Sequence, residues 1–188
     1  LAAYELPFVD LLRQAIYQAV EEDKVSHRAL VTLGSKLAQV YQLAVEGVCE
    51  KAGIKLSEIE AIGLHGQTIH HCPDHQPPYT LQLDQATDVA QRLGVRVVAN
   101  FRAADIAQGG QGAPLIPAYH RFLAEQAGKN RAAFVNLGGI ANITWFDGVA
   151  NQLQGWDVGP ANALLDAWTQ SHLQQPFDDQ GTWAQTGK

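Results

Sequence analysis

The stretch FVNLGGIANIT (134–144), followed by GWDVGPANALLDAW (155–168), decides how this chain is read. Each runs from an apolar, strand-like segment into a tight polar turn containing glycine. Strands are read over 132–137 and 142–146, and a third ends at Trp156-Asp157. Gly159-Pro160 then opens a helix through Trp168. A third segment of the same form, IGLHGQT (62–68), closes a buried strand read over 59–64. Ligands of α/β sheets bind where strands end. Glycines in such turns let backbone amides approach phosphate oxygens with no side chain in the way. One turn of this kind is a connector; three in a short chain point to a binding cleft.

Working outward, the first fifty residues read as helix. Phe8, Leu11, Leu12, Ala15, Ile16, Ala19 and Val20 recur at spacings of three and four. A second helix is expected over 27–52, with Ser26 as its N-cap and Gly53 as its stop. Residues 70–78 read as a loop, 79–83 and 95–101 as strands, 88–93 as a short helix, and 117–127 as another. The turn GGQGAP (109–114) precedes that last helix, and Gly128-Lys129-Asn130 reads as a hinge between two lobes. The final residues to Lys188 read as a helix that runs on. Helices alternating with buried strands make the class α/β.

The chain has 188 residues, 46% hydrophobic and 17% charged, enough to bury a core. No apolar run is long enough for a bilayer span, and no secretion signal opens the chain. A net charge of −6 with scattered basic residues argues against nucleic acid as a partner. Cys49 and Cys72 cannot build a disulfide framework. The expectation is a cytoplasmic protein with neither membrane nor nucleic-acid partners.

Asp157 is the first candidate for chemistry. At a strand end between Gly155 and Gly159, a partly desolvated carboxylate would gain basicity; the alternative is an N-cap for the next helix. Arg102 offers a planar fork for a carboxylate, or else an ion pair with Asp105. The 109–112 turn fits neither the P-loop spacing nor G-x-G-x-x-G. His70, His71, Cys72, Asp74 and His75 lack a second ligand pair at zinc spacing, so no metal site is expected. The serines, at 26, 35, 57 and 171, lie outside any nucleophile elbow.

At its turns the chain closely resembles the anhydro-N-acetylmuramic acid kinases, of the actin/hexokinase/Hsp70-like ATPase superfamily. The resemblance rests on IGLHGQTIHH (62–71), YTLQL (79–83), FRAADIAQGGQGAPLIPAYH (101–120), FVNLGGIANIT, GWDVGPANALLDAW and PFDDQG (176–181). It implies an actin-like, ribonuclease H-like two-lobed fold, of which this chain is the central part. Residues 1–130 would be the rear of the first lobe with the sugar-binding turns. Residues 131–188 would start the second lobe, with the phosphate-binding hairpin and the catalytic Asp. The implied enzyme uses ATP and Mg²⁺, opens the 1,6-anhydro bond of anhydro-N-acetylmuramic acid with water, and phosphorylates the freed O6 in peptidoglycan recycling. Asp157 would be the general base; Gln67, Thr68 and Arg102 would hold the sugar. Asn136, Gly138, Gly139 and Gly159 would face the nucleotide. A homodimer is compatible with the resemblance.

This chain departs from the family pattern at Asn100, usually Asp, at Val158, usually Thr, and at Ala161, usually Gly. It also lacks the glycine of the family's LQIGDP, reading Leu81 to Ala86 as LQLDQA. The family's first phosphate loop, with its Mg²⁺-binding Asp, and its adenosine-binding segment have no counterpart here, so the 188 residues alone are expected to be inactive. An ordinary sugar kinase and a non-catalytic sugar-binding remnant are the alternatives.

Overall fold

A computed structural model describes residues 1–22 and 24–187. The chain forms two compact units, Leu1–Ala113 and Pro114–Lys188.

In the first unit, α2 (His27–Ala52) forms where the apolar periodicity places it, while α1 (Asp10–Glu21) starts later than read, residues 1–9 with Phe8 lying outside any helix. The Ser26 hydroxyl accepts the Ala29 N–H at 3.1 Å, and Gly53 closes α2 at φ 67°, so both expected caps form. Strand β1 (Ile62–Gly63) pairs in parallel with β4 (Val97–Val98), while β2 (Gln67–Cys72) pairs antiparallel with β3 (Tyr79–Leu83). Helix α3 (Ala86–Leu93) precedes β4, and α4 (Phe101–Ala107) follows it. One core joins α1 and α2 to the hairpin through Leu12, Ile16, Leu33, Leu37, Ile69 and Leu83. A second gathers Ala38, Val89, Leu93 and Val95.

Two strand readings shrink. The span 59–64 keeps only Ile62–Gly63, because Leu56–Glu58 forms a 3₁₀ turn just before it. The span 95–101 keeps only Val97–Val98, because Asn100 adopts φ 61° and Phe101 already starts α4. Asparagine tolerates that left-handed conformation, which turns the chain from strand to helix. The expected loop over 70–78 is one-third strand: His70, His71 and Cys72 lie in the ladder, and only 73–78 turn. Polar residues had hidden a two-stranded ribbon with one face off the core.

In the second unit, α5 (Pro117–Gln126) lies on an antiparallel meander of β5 (Arg131–Leu137), β6 (Ile140–Asp147) and β7 (Gln152–Pro160). Residues 128–130 link α5 to β5 inside this unit, so the division differs from the joint read near 130. Helix α6 (Asn162–Leu173) begins after Pro160, which is the last residue of β7 rather than a helix opener. The chain then turns through 3₁₀ segments, Asp179–Gly181 and Ala184–Thr186, instead of a continuing helix; Lys188 lies outside the described residues. The three strands are not buried as read: one side of the sheet takes α5, while Val135, Leu137 and Trp156 stay exposed. No helix among the described residues is long and apolar enough to cross a membrane. The architecture is mixed α/β.

Candidate functional site

In the second unit the register assembles one row. Asn136 pairs with Asn142, and Asn142 pairs with Asp157. Directly opposed residues share a face, so three polar side chains line up across the sheet. One step along that face come Phe134, Thr144 and Gly155, which α5 covers. The His120 ring stacks on Phe134 at 4.4 Å and its Nδ1 meets the buried Thr144 hydroxyl at 2.8 Å. Gly155 permits this seating, since a Cβ there would come within 2.5 Å of Pro117. The row therefore lies just past the Pro117 end of α5, the positive end of its dipole.

The Asp157 carboxylate is exposed and makes no hydrogen bond or ion pair with the described residues. Its role as an N-cap is excluded by position, because α6 starts at Asn162 with Ala161 as its cap residue. The partial desolvation expected for it is not supplied by this chain.

The hairpin that joins β5 to β6 is bonded to the start of α6. The Leu137 carbonyl accepts from Asn162 Nδ2 at 2.7 Å. The Gly138 carbonyl accepts from Asn162 N at 3.0 Å, and the Gly139 carbonyl from Ala161 N and Ala163 N at 2.9 and 3.1 Å. These peptides are trans, so each N–H opposes its carbonyl. The N–H groups of Gly138, Gly139 and Ile140 thus face away from α6. Neither glycine needs a positive φ, and their nearest non-neighbour atoms to a would-be Cβ are Asn136 Nδ2 at 3.3 Å and Ala163 Cβ at 3.7 Å. Conformation demands glycine at neither position, and at Gly138 a side chain would push the Asn136 amide aside; the missing side chains leave the backbone open. Gly159, at φ 157°, sits opposite Ala141 beside the β-bulge that contains Val158.

In the first unit, Arg102 stands in the first turn of α4. Its Nε donates to His65 Nε2 at 2.9 Å and its Nη1 to the Gly112 carbonyl at 2.8 Å. Asp105 does not pair with it; that carboxylate accepts the Gly112 N–H at 2.7 Å and so fixes the 109–112 turn. Gln67 and Thr68, neighbours on β2, face opposite sides of the ribbon. Gln67 is paired with the buried Leu83, whose carbonyl accepts from Tyr41 Oη at 3.0 Å. Burial pushes that phenol up to about 12. Thr68 is paired with Gln82, on the polar face where Gln82 also donates to Thr80. The structure thus joins Arg102 to His65 and the 109–112 turn, and sets Asn136, Gly138, Gly139 and Asp157 at one end of one sheet.

His65, Asn142 and Asn162 escaped the sequence reading, though all three lie inside the quoted motifs. Alternation along two strands was the available signal for Asn142. Nothing local could announce the bonds of His65 and Asn162, which reach 37 and 25 residues along the chain. Among the described residues, no three His, Cys, Asp or Glu side chains converge as a metal site.

A family model described as anhydro-N-acetylmuramic acid kinase matches residues 1–188. The anhydro-N-acetylmuramic acid kinase of Nitrosospira multiformis is 47% identical over 163 residues, 86% of this chain and 43% of that protein. Those of Shewanella baltica strains OS155 and OS185 are 44% and 45% identical over 156 residues, 83% of this chain and 42% of each. The chain spans less than half the length of the curated relatives it matches. The glycine hairpin, the aspartate of β7 and the arginine of α4 accordingly sit in a chain that belongs to the anhydro-N-acetylmuramic acid kinase family.

Proposed function

We propose that this chain is the central part of an ATP- and Mg²⁺-dependent cytoplasmic kinase of two-lobed, actin-like fold. The enzyme opens 1,6-anhydro-N-acetylmuramic acid with water and phosphorylates O6, giving N-acetylmuramic acid 6-phosphate for peptidoglycan recycling. The observation that supports this best is the shared sheet end in the second unit. There an unengaged carboxylate, Asp157, stands on the strand next to a hairpin whose N–H groups face outward.

Asp157 accepts a proton from the water that attacks the anomeric carbon, a role open to an ionised, acceptor-only carboxylate. As C1–O6 breaks, O6 becomes the nucleophile toward the γ-phosphate. ATP supplies the phosphoryl group, and the N–H groups of Gly138 and Gly139 fit its phosphate oxygens because they are preset and lack a covering side chain. Asn136 and Gly159 flank that position. No residue of this chain is assigned to Mg²⁺. On the sugar side, Arg102 would take the lactyl carboxylate, while Thr68 and Gln67 would serve from opposite faces of the ribbon.

The test is ADP release by the complete protein given ATP, Mg²⁺ and the 1,6-anhydro sugar, with the ring-opened sugar as control. ADP formed only with the anhydro sugar, together with solvent oxygen at C1, is the expected result. Equal turnover of the ring-opened sugar would indicate an ordinary sugar kinase.

A further inference from the structure

We propose that His65 is a positioning residue that aims the Arg102 guanidinium at a carboxylate-bearing ligand and so contributes to selection for that group. This rests on the reading of Arg102 as the carboxylate-binding residue.

The geometry permits one arrangement of protons. His65 Nδ1 lies 2.7 Å from the Gly66 carbonyl, which can only accept, so Nδ1 carries a hydrogen. Its Nε2 lies 2.9 Å from Arg102 Nε, which can only donate, so Nε2 is the bare acceptor. The imidazole is therefore neutral and held in a single tautomer, and it spends both nitrogens on this role. With Nη1 donating to Gly112, the guanidinium is held at two of its three nitrogens. Two anchors on a rigid plane fix its rotation, and Nη2 has no bond to any described residue. Both anchors are themselves built in. Gly66 sits at φ 74°, and a Cβ there would come within 2.8 Å of the Asp84 backbone, so the segment carrying His65 is pressed against the end of β3. Asp105 holds the Gly112 turn through the Gly112 N–H.

A guanidinium fixed by neutral acceptors keeps its full charge for an incoming anion. An ion pair with Asp105 would have neutralised it. Fixing a planar fork before binding reduces the ordering cost of recognising a carboxylate. The discriminated feature is the carboxylate of the lactyl ether, in whose place anhydro-N-acetylglucosamine carries a free hydroxyl.

The experiment is calorimetric binding of both sugars to the complete protein, with His65→Leu, His65→Gln, Arg102→Ala and the Arg102→Ala/His65→Leu double variant. Expected for His65→Leu is weakening of the carboxylate sugar by about tenfold with the carboxylate-free sugar unchanged, the size of one charge-assisted hydrogen bond. His65→Gln, which keeps an acceptor oxygen, recovers most of that loss. In the Arg102→Ala background His65→Leu adds nothing further, because its effect passes through the arginine. Equal weakening of both sugars by His65→Leu, or the same loss with and without Arg102, would make His65 a scaffold residue and overturn the proposal. If instead Arg102→Ala leaves the ratio between the two sugars unchanged, the reading of Arg102 falls, and the proposal with it.

Discussion

At the scale of the residue, the proposed reaction turns on Asp157. It has no partner to satisfy, so Asp157→Asn removes a base without breaking a hydrogen bond within the described chain. The expected outcome in the complete protein is a fall in kcat of about 10²–10⁴-fold, the usual share of a general base, with sugar affinity close to the parent. Wild-type turnover in that variant would remove Asp157 from the mechanism. Gly66, in the first unit, carries a separate prediction. Its φ of 74° and the nearby Asp84 backbone both exclude a Cβ. Gly66→Ala should therefore lose roughly 1–3 kcal/mol of stability from backbone strain alone, read by denaturant unfolding. A variant as stable as the parent would mean that the turn relaxes freely.

At the scale of the element, the hairpin between β5 and β6 owes its orientation to α6. Asn162 ties it twice, by side chain to Leu137 and by backbone to Gly138. Asn162→Ala removes the first tie, about 1 kcal/mol for a hydrogen bond, and should raise KM for ATP more than KM for the sugar. A reversed pattern would detach the hairpin from nucleotide binding. The acidic turn after α6 carries its own pH signature. The N–H groups of Trp183 and Ala184 donate to Asp178 and hold its carboxyl below the usual 3.8. A depressed value stabilises the turn above pH 3.8 and loses that contribution as the pH falls through the folded-state value. Tryptophan fluorescence should report a transition below pH 3.8 that Asp178→Asn abolishes. An unaltered transition would place its origin elsewhere, Asp147 being the other carboxylate held low, chiefly by the Ala150 N–H and also by Arg131.

At the scale of the whole molecule, what the sequence disclosed followed the range of the forces involved. The two long helices and the caps of α2 were legible because periodicity and capping are local. Gly138 and Gly139 were legible as a turn, whereas Gly155, Asp157 and Gly159, read at a strand end, lie inside β7 because pairing with β6 carries the strand on to Pro160. The β2–β3 ribbon, the early end of β4 and the outward face of the meander were not, since each depends on which partner strand or helix arrives. The same face yields the last prediction. Val135, Leu137 and Trp156 lie bare on the side of the sheet away from α5, and Leu164, Leu165 and Trp168 are bare on α6. Apolar exposure on this scale marks a surface that associates in water. The 188 residues prepared alone should therefore bind a hydrophobic fluorescent dye strongly. They should also release no ADP from ATP and the anhydro sugar, since phosphoryl transfer needs a metal at the γ-phosphate that no residue here is assigned to hold. Dye binding at the level of an ordinary folded domain would show that these faces are covered within the chain itself. ADP release by the same sample would show that the described residues suffice for the chemistry.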